Sequence, residues 1–230
     1  MVRANLNKDP DDVSKMFDAV ANRYDFLNDL LSLGRTKAWR RVVTSIIAPK
    51  PGIKILDIAA GTGSSSRPLV DKGADVIALD FSEGMLAQGR KQNRDIKFMQ
   101  GDALNLPFEE NTFDVTTISF GLRNTSDTSK ALRESFRVLK SGGRMVVVEF
   151  SQPTNKIFRT IYLRYLMRAL PTVARKVSSN PDAYVYLAES ILAWPNQNGL
   201  ADLIKAAGFG NVQWKNLTFG IVAIHTGVKP

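Results

Sequence analysis

The tightest constraint on this chain is the run Ile53-Lys-Ile-Leu-Asp57-Ile-Ala-Ala-Gly61-Thr62-Gly63-Ser64-Ser65-Ser66. A short apolar stretch passes into a loop with two glycines and then into serines, the pattern of a strand turning into a helix. Gly61 and Gly63 allow positive φ and let the backbone come close to a ligand, where a Cβ would obstruct it. Ser64, Ser65 and Ser66 suit the N-cap of the helix that follows. The third glycine of a dinucleotide loop is missing, since Arg67 and its neighbours are not glycine. A pyrophosphate on that helix start is therefore a poor match.

The acids that follow say what fits better. Asp80 closes the second apolar run, Val76-Ile-Ala-Leu-Asp80, 17 residues after Gly63. An acid there accepts hydrogen bonds from both hydroxyls of a ribose. Asp57, at the end of the first strand, can face the cationic amino-acid end of a cofactor, directly or through water. Gly101-Asp102-Ala103 closes the third strand, where a carboxylate can take an adenine amino group. Three acids and a glycine turn at the carboxyl ends of three consecutive strands converge on one crevice. The ligand they describe is S-adenosylmethionine.

The order of elements supports this. Candidate strands are Lys54–Ile58, Asp75–Leu79, Ile96–Gln100, Phe113–Ser119 and Arg144–Phe150, with a last pair at Val212–Leu217 and Ile221–Thr226 split by Phe219-Gly220. Helical stretches fall at Ser65–Asp71, Met85–Gln92, Thr128–Leu139 and Leu200–Ala207. Gly73, Gly142-Gly143 and Gly208 sit where helices end in a left-handed residue. Five βα units closed by an antiparallel hairpin are the layout of a class I methyltransferase: α/β, Rossmann-like, with a mostly parallel seven-stranded sheet. A dehydrogenase would continue with parallel units. The 230 residues are expected to form one domain, with a helical N-terminal region at 13–47 and an insert at 152–197 outside the core.

Composition narrows the chemistry. There are no cysteines and one histidine, so thiolate zinc sites, cysteine nucleophiles and histidine metal clusters are excluded, and no metal is expected. His225, in the final hairpin, reads as structural before catalytic. No apolar run reaches the roughly eighteen residues a bilayer span needs. The polar start, Met1 to Asp12, does not resemble a secretory signal, so a cytoplasmic location is expected. The formal charge of +9 favours anionic partners without choosing among nucleic acid, phosphates and lipid.

The run Arg137-Val-Leu-Lys-Ser-Gly142-Gly143-Arg-Met-Val-Val-Val-Glu149-Phe-Ser151 resembles a signature of the menaquinone/ubiquinone C-methyltransferase family. So do Tyr24-Asp25-Phe-Leu-Asn28-Asp-Leu-Leu-Ser32-Leu-Gly34, followed by Trp39, and the more specific Ile118-Ser119-Phe-Gly-Leu-Arg123-Asn124. The run Tyr186-Leu-Ala-Glu-Ser190, and Asn216 through His225, extend the likeness over nearly the whole chain. Two positions depart from the family pattern: Thr36 stands where histidine is frequent, and Ser141 where proline or valine is. The resemblance carries the cofactor contacts onto Thr62, Asp80, Asp102, Ala103 and Ser119.

The resemblance also implies methyl transfer to a ring carbon of a polyprenylated quinol, with naphthoquinol and benzoquinol both open. A sulfonium methyl is already electrophilic, so such an enzyme mainly needs alignment and a nucleophilic carbon. A cation beside the developing phenolate favours that state. Arg123, after the fourth strand, is the candidate, acting electrostatically or through a water; pairing with an acid to hold a loop is the alternative. Asn124 would orient the ring. Tyr24, Asp25, Tyr184 and Tyr186 come from the two extra regions and suit either substrate contact or packing.

The insert Lys156-Ile-Phe-Arg159-Thr-Ile-Tyr-Leu-Arg164-Tyr-Leu-Met-Arg168-Ala-Leu170 has no acid, and its apolar residues recur at helical spacing. A basic amphipathic helix over 156–176 suits peripheral contact with anionic lipid; a buried helix with solvated arginines explains the pattern as well. Nucleic acid is not expected as a partner. The Asn/Asp-Pro-Pro-aromatic motif that holds a flipped base is absent after strand four, and cytosine-C5 chemistry needs a cysteine. Another small-molecule methyltransferase, an oxidoreductase and a non-catalytic module are the remaining readings. Oligomeric state is not legible.

Overall fold

The computed structural model describes residues 7–20, 34–165, 167 and 181–230. Within them lie α1 (Pro10–Val20), α2 (Thr36–Ile47), β1 (Lys54–Ile58), α3 (Arg67–Val70), β2 (Asp75–Asp80), α4 (Glu83–Gln92), β3 (Lys97–Gln100) and β4 (Phe113–Ser119). There follow α5 (Thr128–Val138), β5 (Leu139–Phe150), α6 (Lys156–Arg164), α7 (Pro181–Ala193), α8 (Gln197–Ala206), β6 (Gly210–Leu217) and β7 (Val222–Val228).

The strands form one sheet in the order β3-β2-β1-β4-β5-β7-β6. β1 to β5 are parallel, and β7 pairs antiparallel with both β5 and β6. The expected seven-stranded class I architecture is therefore present. β1 pairs with β2 on one side and β4 on the other, so the chain reverses its direction of travel across the sheet there. Open α/β sheets bind ligands at such a switch point, beyond the carboxyl ends of the strands.

Both faces of the sheet are buried, and the alternation of each strand decides which residues go where. Leu56, Ile58, Met145 and Val147 enter one core with α5 and α8. Ile55, Val146 and Val148 enter the other with Trp39, Val43 and Ile47 of α2. Burying apolar groups on both faces is why these strands read as continuous Val/Ile/Leu runs.

Three expectations need correction. Between β3 and β4 the described chain has no helix, so the five βα units are incomplete. Gly142 takes a φ of 75° inside β5, not at a helix end. The register slips there, with Phe113 opposite Leu139 but Val115 opposite Arg144, and Gly142 N–H donates to the Lys229 carbonyl at 2.8 Å. A bulge, not a helix cap, needs this glycine. Finally, Ser65 and Ser66 do not cap: α3 starts at Arg67 and Ser66 makes no side-chain capping bond.

Candidate active site

A cavity of about 670 Å³ opens above the carboxyl ends of β1 to β4. Of the residues expected at the site, Gly61, Asp80, Asp102, Ala103, Ser119, Arg123 and Asn124 line it. Asp57, Thr62 and Gly63 sit behind the lining, and Thr62 is buried. Tyr186 is buried too, but its hydroxyl donates to Asn124 Oδ1 at 3.2 Å, so it reaches the cavity through that side chain. Tyr24, Asp25 and the side chain of Tyr184 lie outside the described residues.

Backbone shape makes room for the cavity. Ala59 and Phe120, just past the ends of β1 and β4, both adopt left-handed φ of 55° and 58°. Non-glycine residues rarely sit there, and such strain gathers at functional sites. Gly121 lets the two loops meet: a Cβ on it would stand 2.4 Å from that of Ala59.

At the β1–β3 end the lining is polar. Asp80 is anchored by main chain, its Oδ2 accepting from Gly61 N–H at 2.8 Å and its Oδ1 from Ser82 N–H at 2.9 Å. Burial raises its carboxyl above the usual range, against the pull of those N–H groups. Asp102 Oδ1 accepts from Leu104 N–H at 2.8 Å. Asp57 is fully buried, and its Oδ2 accepts from Ser65 Oγ at 2.7 Å and Ser66 Oγ at 2.6 Å. Its Oδ1 has no partner. Burial pushes this carboxyl up to about 6, with the serine hydroxyls opposing and Asp80 reinforcing the shift. A buried carboxylate oxygen without a donor calls for a cationic or hydrogen-bonding ligand.

At the β4–β5 end the lining is aromatic. Phe120 lies 6.0 Å from the Trp39 ring and 5.0 Å from that of Phe150. Trp39 Nε1 donates to Thr218 Oγ1 at 2.9 Å, tying α2 to the turn between β6 and β7. Arg123, in a 3₁₀ turn at Leu122–Asn124, is buried, with Cζ 5.1 Å from the centre of the Phe150 ring. Its Nη1 donates to Glu149 Oε1 at 2.9 Å and Oε2 at 3.0 Å. The pairing with an acid, weighed above as an alternative, is therefore present, and it places the guanidinium in the cavity wall. Glu149 is pushed upward by burial and pulled back by Arg123.

A sequence model of the ubiE/COQ5 methyltransferase family matches residues 4–229. The chain belongs to this family. Among its relatives, the demethylmenaquinone methyltransferase of Paenarthrobacter aurescens is 56% identical over 230 residues, covering 100% of this chain and 91% of that one. The protein of the same name from Streptomyces avermitilis is 57% identical over 229 residues, covering 100% and 99%. Among solved structures, a methyltransferase of Thermotoga maritima superposes with a TM-score of 0.68 at 22% identity, covering 95% of this chain and 100% of that one. The cyclase SpnF has the same TM-score at 18% identity, covering 100% and 98%. At that distance the likeness shows the fold alone.

A ubiE/COQ5 methyltransferase takes its methyl group from S-adenosylmethionine, and the site fits that molecule. Strand order sets Asp102, just past β3, beside Asp80 of β2 and Asp57 of β1, so the three acids expected to meet adenine, ribose and amino acid follow one another across the sheet. The orphaned Asp57 Oδ1 matches an ammonium. Among the described residues no cluster of three metal-ligating side chains exists. His225 is buried, with Nε2 2.9 Å from the Gln197 carbonyl oxygen and its ring stacked near Trp214.

Sequence reasoning missed the part played by five residues. Glu149 stood inside a quoted signature without a role, and its lone acid in an apolar strand was the available signal. Ser65 and Ser66 suit a cap by sequence, but the acid on the preceding strand takes their hydroxyls instead. Phe120 was hidden because nothing in its identity announces a left-handed backbone. Arg40, whose Nη2 donates to Ser64 Oγ at 3.3 Å, belongs to α2, far away in sequence.

Proposed function

We propose that this chain methylates a ring carbon of a polyprenylated quinol, with demethylmenaquinol as the acceptor and menaquinol as the product. The observation that carries this reading is the two-ended cavity. Carboxylates line one end, and Trp39, Phe120 and Phe150 form an aromatic wall at the other, with the Arg123–Glu149 pair beside that wall. The relatives named demethylmenaquinone methyltransferase support the naphthoquinol over the benzoquinol.

S-adenosylmethionine, when bound, supplies an electrophilic methyl group. The residues then need to hold the ring and stabilise charge. Phe120 and Phe150 offer flat apolar surface to a naphthoquinol. Arg123 stands where a quinol hydroxyl gains negative charge as its ring carbon becomes nucleophilic, and its cation lowers the energy of that state. Glu149 holds the Nη1 end of the guanidinium with both carboxylate oxygens. Asn124 is held from both sides, its Oδ1 accepting from the Tyr186 hydroxyl and its Nδ2 donating to the Phe120 carbonyl, and it lines the cavity where it can position the ring. An arginine clamped by a buried carboxylate acts through its charge, so proton removal falls to water or the acceptor's surroundings.

The extra regions form the acceptor cap on this reading. Val13 and Phe17 of α1, Phe158, Ile161 and Tyr162 of α6, and Ile191 of α7 line the cavity. At the mouth Phe158 and Phe219 meet edge to face at 5.4 Å. Ile157 and Phe219 are each 76% exposed, and Ile161 59%. Lys156, Arg159 and Arg164 flank them on α6. An apolar mouth rimmed by cations fits the surface of an anionic bilayer, in which the acceptor's isoprenoid tail stays dissolved. No described helix is long and apolar enough to cross the membrane.

Purified protein with S-adenosylmethionine is assayed against a short-chain demethylnaphthoquinol and a benzoquinol of the same tail length. Methylation of the naphthoquinol at a kcat/KM at least about tenfold higher is expected, the discrimination a differing ring can supply. Equal or reversed preference overturns the acceptor assignment.

A further inference from the structure

The homocysteine end of S-adenosylmethionine is a zwitterion. Held out of water, it needs an acid for the ammonium and donors for the carboxylate. Asp57 Oδ1, without a partner just behind the lining, answers the first need, directly or through a water. The second points to α2. Trp39, Val43 and Ile47 bury one side of this helix against the sheet. That fixes its rotation and brings the adjoining stripe Thr36, Arg40, Thr44, at intervals of four, to the cavity beside them. Arg40 is the charged residue of the stripe. Its guanidinium donates to Ser64 Oγ, and Ser64 adjoins Ser65, whose own hydroxyl donates to Asp57.

A hydroxyl that accepts from arginine still has its proton to give. Ser64 therefore offers an O–H beside a cation, two donors next to the acid that takes the ammonium. Gly61, Ser64, Ser65 and Arg40 all line the same end of the cavity. The other cations that line it stand elsewhere. Arg123 is engaged by Glu149 beyond β4, and Arg35 is exposed before the first turn of α2.

We propose that Arg40, together with the Ser64 hydroxyl, binds the α-carboxylate of S-adenosylmethionine. Asp57 takes the ammonium, and the zwitterion lies between an acid and a cation anchored on adjacent serines. This assignment rests on the cofactor and is independent of which quinol accepts the methyl group.

Calorimetric titration with two ligands and no acceptor tests it. S-adenosylhomocysteine carries the amino-acid end, and 5′-methylthioadenosine keeps the nucleoside thioether without it. Arg40→Gln should weaken S-adenosylhomocysteine about tenfold or more, as loss of a charged hydrogen bond implies. It should leave methylthioadenosine within about twofold. Arg40→Lys should fall between the two for S-adenosylhomocysteine. Ser64→Ala, which leaves α2 untouched, should give a smaller loss confined to the same ligand. Equal weakening of both ligands, or of neither, overturns the proposal. Failure of the wild type to bind either ligand would instead defeat the cofactor assignment.

Discussion

At the scale of single residues, the site is governed by two buried carboxylates whose partners differ. Asp57 is held by serine hydroxyls and lacks a cation, and its carboxyl is pushed up to about 6 from 3.8. The folded protein thus binds this proton more tightly than the unfolded chain. The stability it contributes is full below about 4 and is lost as pH rises toward 6. Cofactor binding needs the ionised form, so it strengthens over the same interval. Thermal shift by S-adenosylhomocysteine should therefore grow between about pH 5 and pH 7. Asp57→Asn should give a small shift that is flat with pH. A wild-type shift independent of pH would rule out the ammonium contact. Glu149, by contrast, has its cation. Arg123→Ala strands a buried carboxylate and should cost about 3–5 kcal/mol, measured by denaturant unfolding. The paired change Arg123→Met with Glu149→Leu should restore most of that stability and none of the turnover. Turnover in the doubly changed protein would remove the pair from the chemistry. What the sequence revealed at this scale was the set of acids at strand ends, because spacing along a strand is local. Which hydroxyl or cation serves each acid was invisible, because Arg40 and Ser64 are brought together by packing between separate elements.

At the scale of elements, the strands were legible to within a few residues, since a fully buried strand writes its burial directly into Val, Ile and Leu. β1 and β4 fall where the apolar runs predict them. β5 begins five residues earlier than expected, because Leu139 pairs with Phe113 before the bulge at Gly142. Periodicity cannot announce such a bulge. α6 was legible as amphipathic, but its apolar side divides: Tyr162 is buried while Ile157 and Ile161 face outward. The outward residues make the membrane reading testable as a property of this element with its neighbour, the turn at Phe219. Vesicles rich in an anionic phospholipid should carry the wild type upward in a density gradient, and neutral vesicles should carry less. Changing Ile157, Ile161 and Phe219 together to Asn should abolish flotation while cofactor binding, read as the thermal shift given by S-adenosylhomocysteine, persists. Undiminished flotation of the triple variant would exclude this mouth as the lipid contact.

At the scale of the whole molecule, β7 stands between β5 and β6 although it is the last strand in sequence order. Most of its residues are buried, and Val222, Ile224 and the neighbouring Ala223 sit in the interior of the sheet. Lys229 binds the strand's far end in place, donating from Nζ to the carbonyls of Leu139 and Arg137. During synthesis, the elements that build the cofactor crevice emerge long before this strand does. Until β7 arrives, β5 presents an open edge of unpaired N–H and C=O groups beside the apolar cores. A nascent chain at that stage already has the acids and loops of its binding site but not a closed sheet. Loss of the codons from Val222 onward would thus remove an interior plank and not a fringe, leaving a polypeptide prone to pair with its neighbours on the polysome.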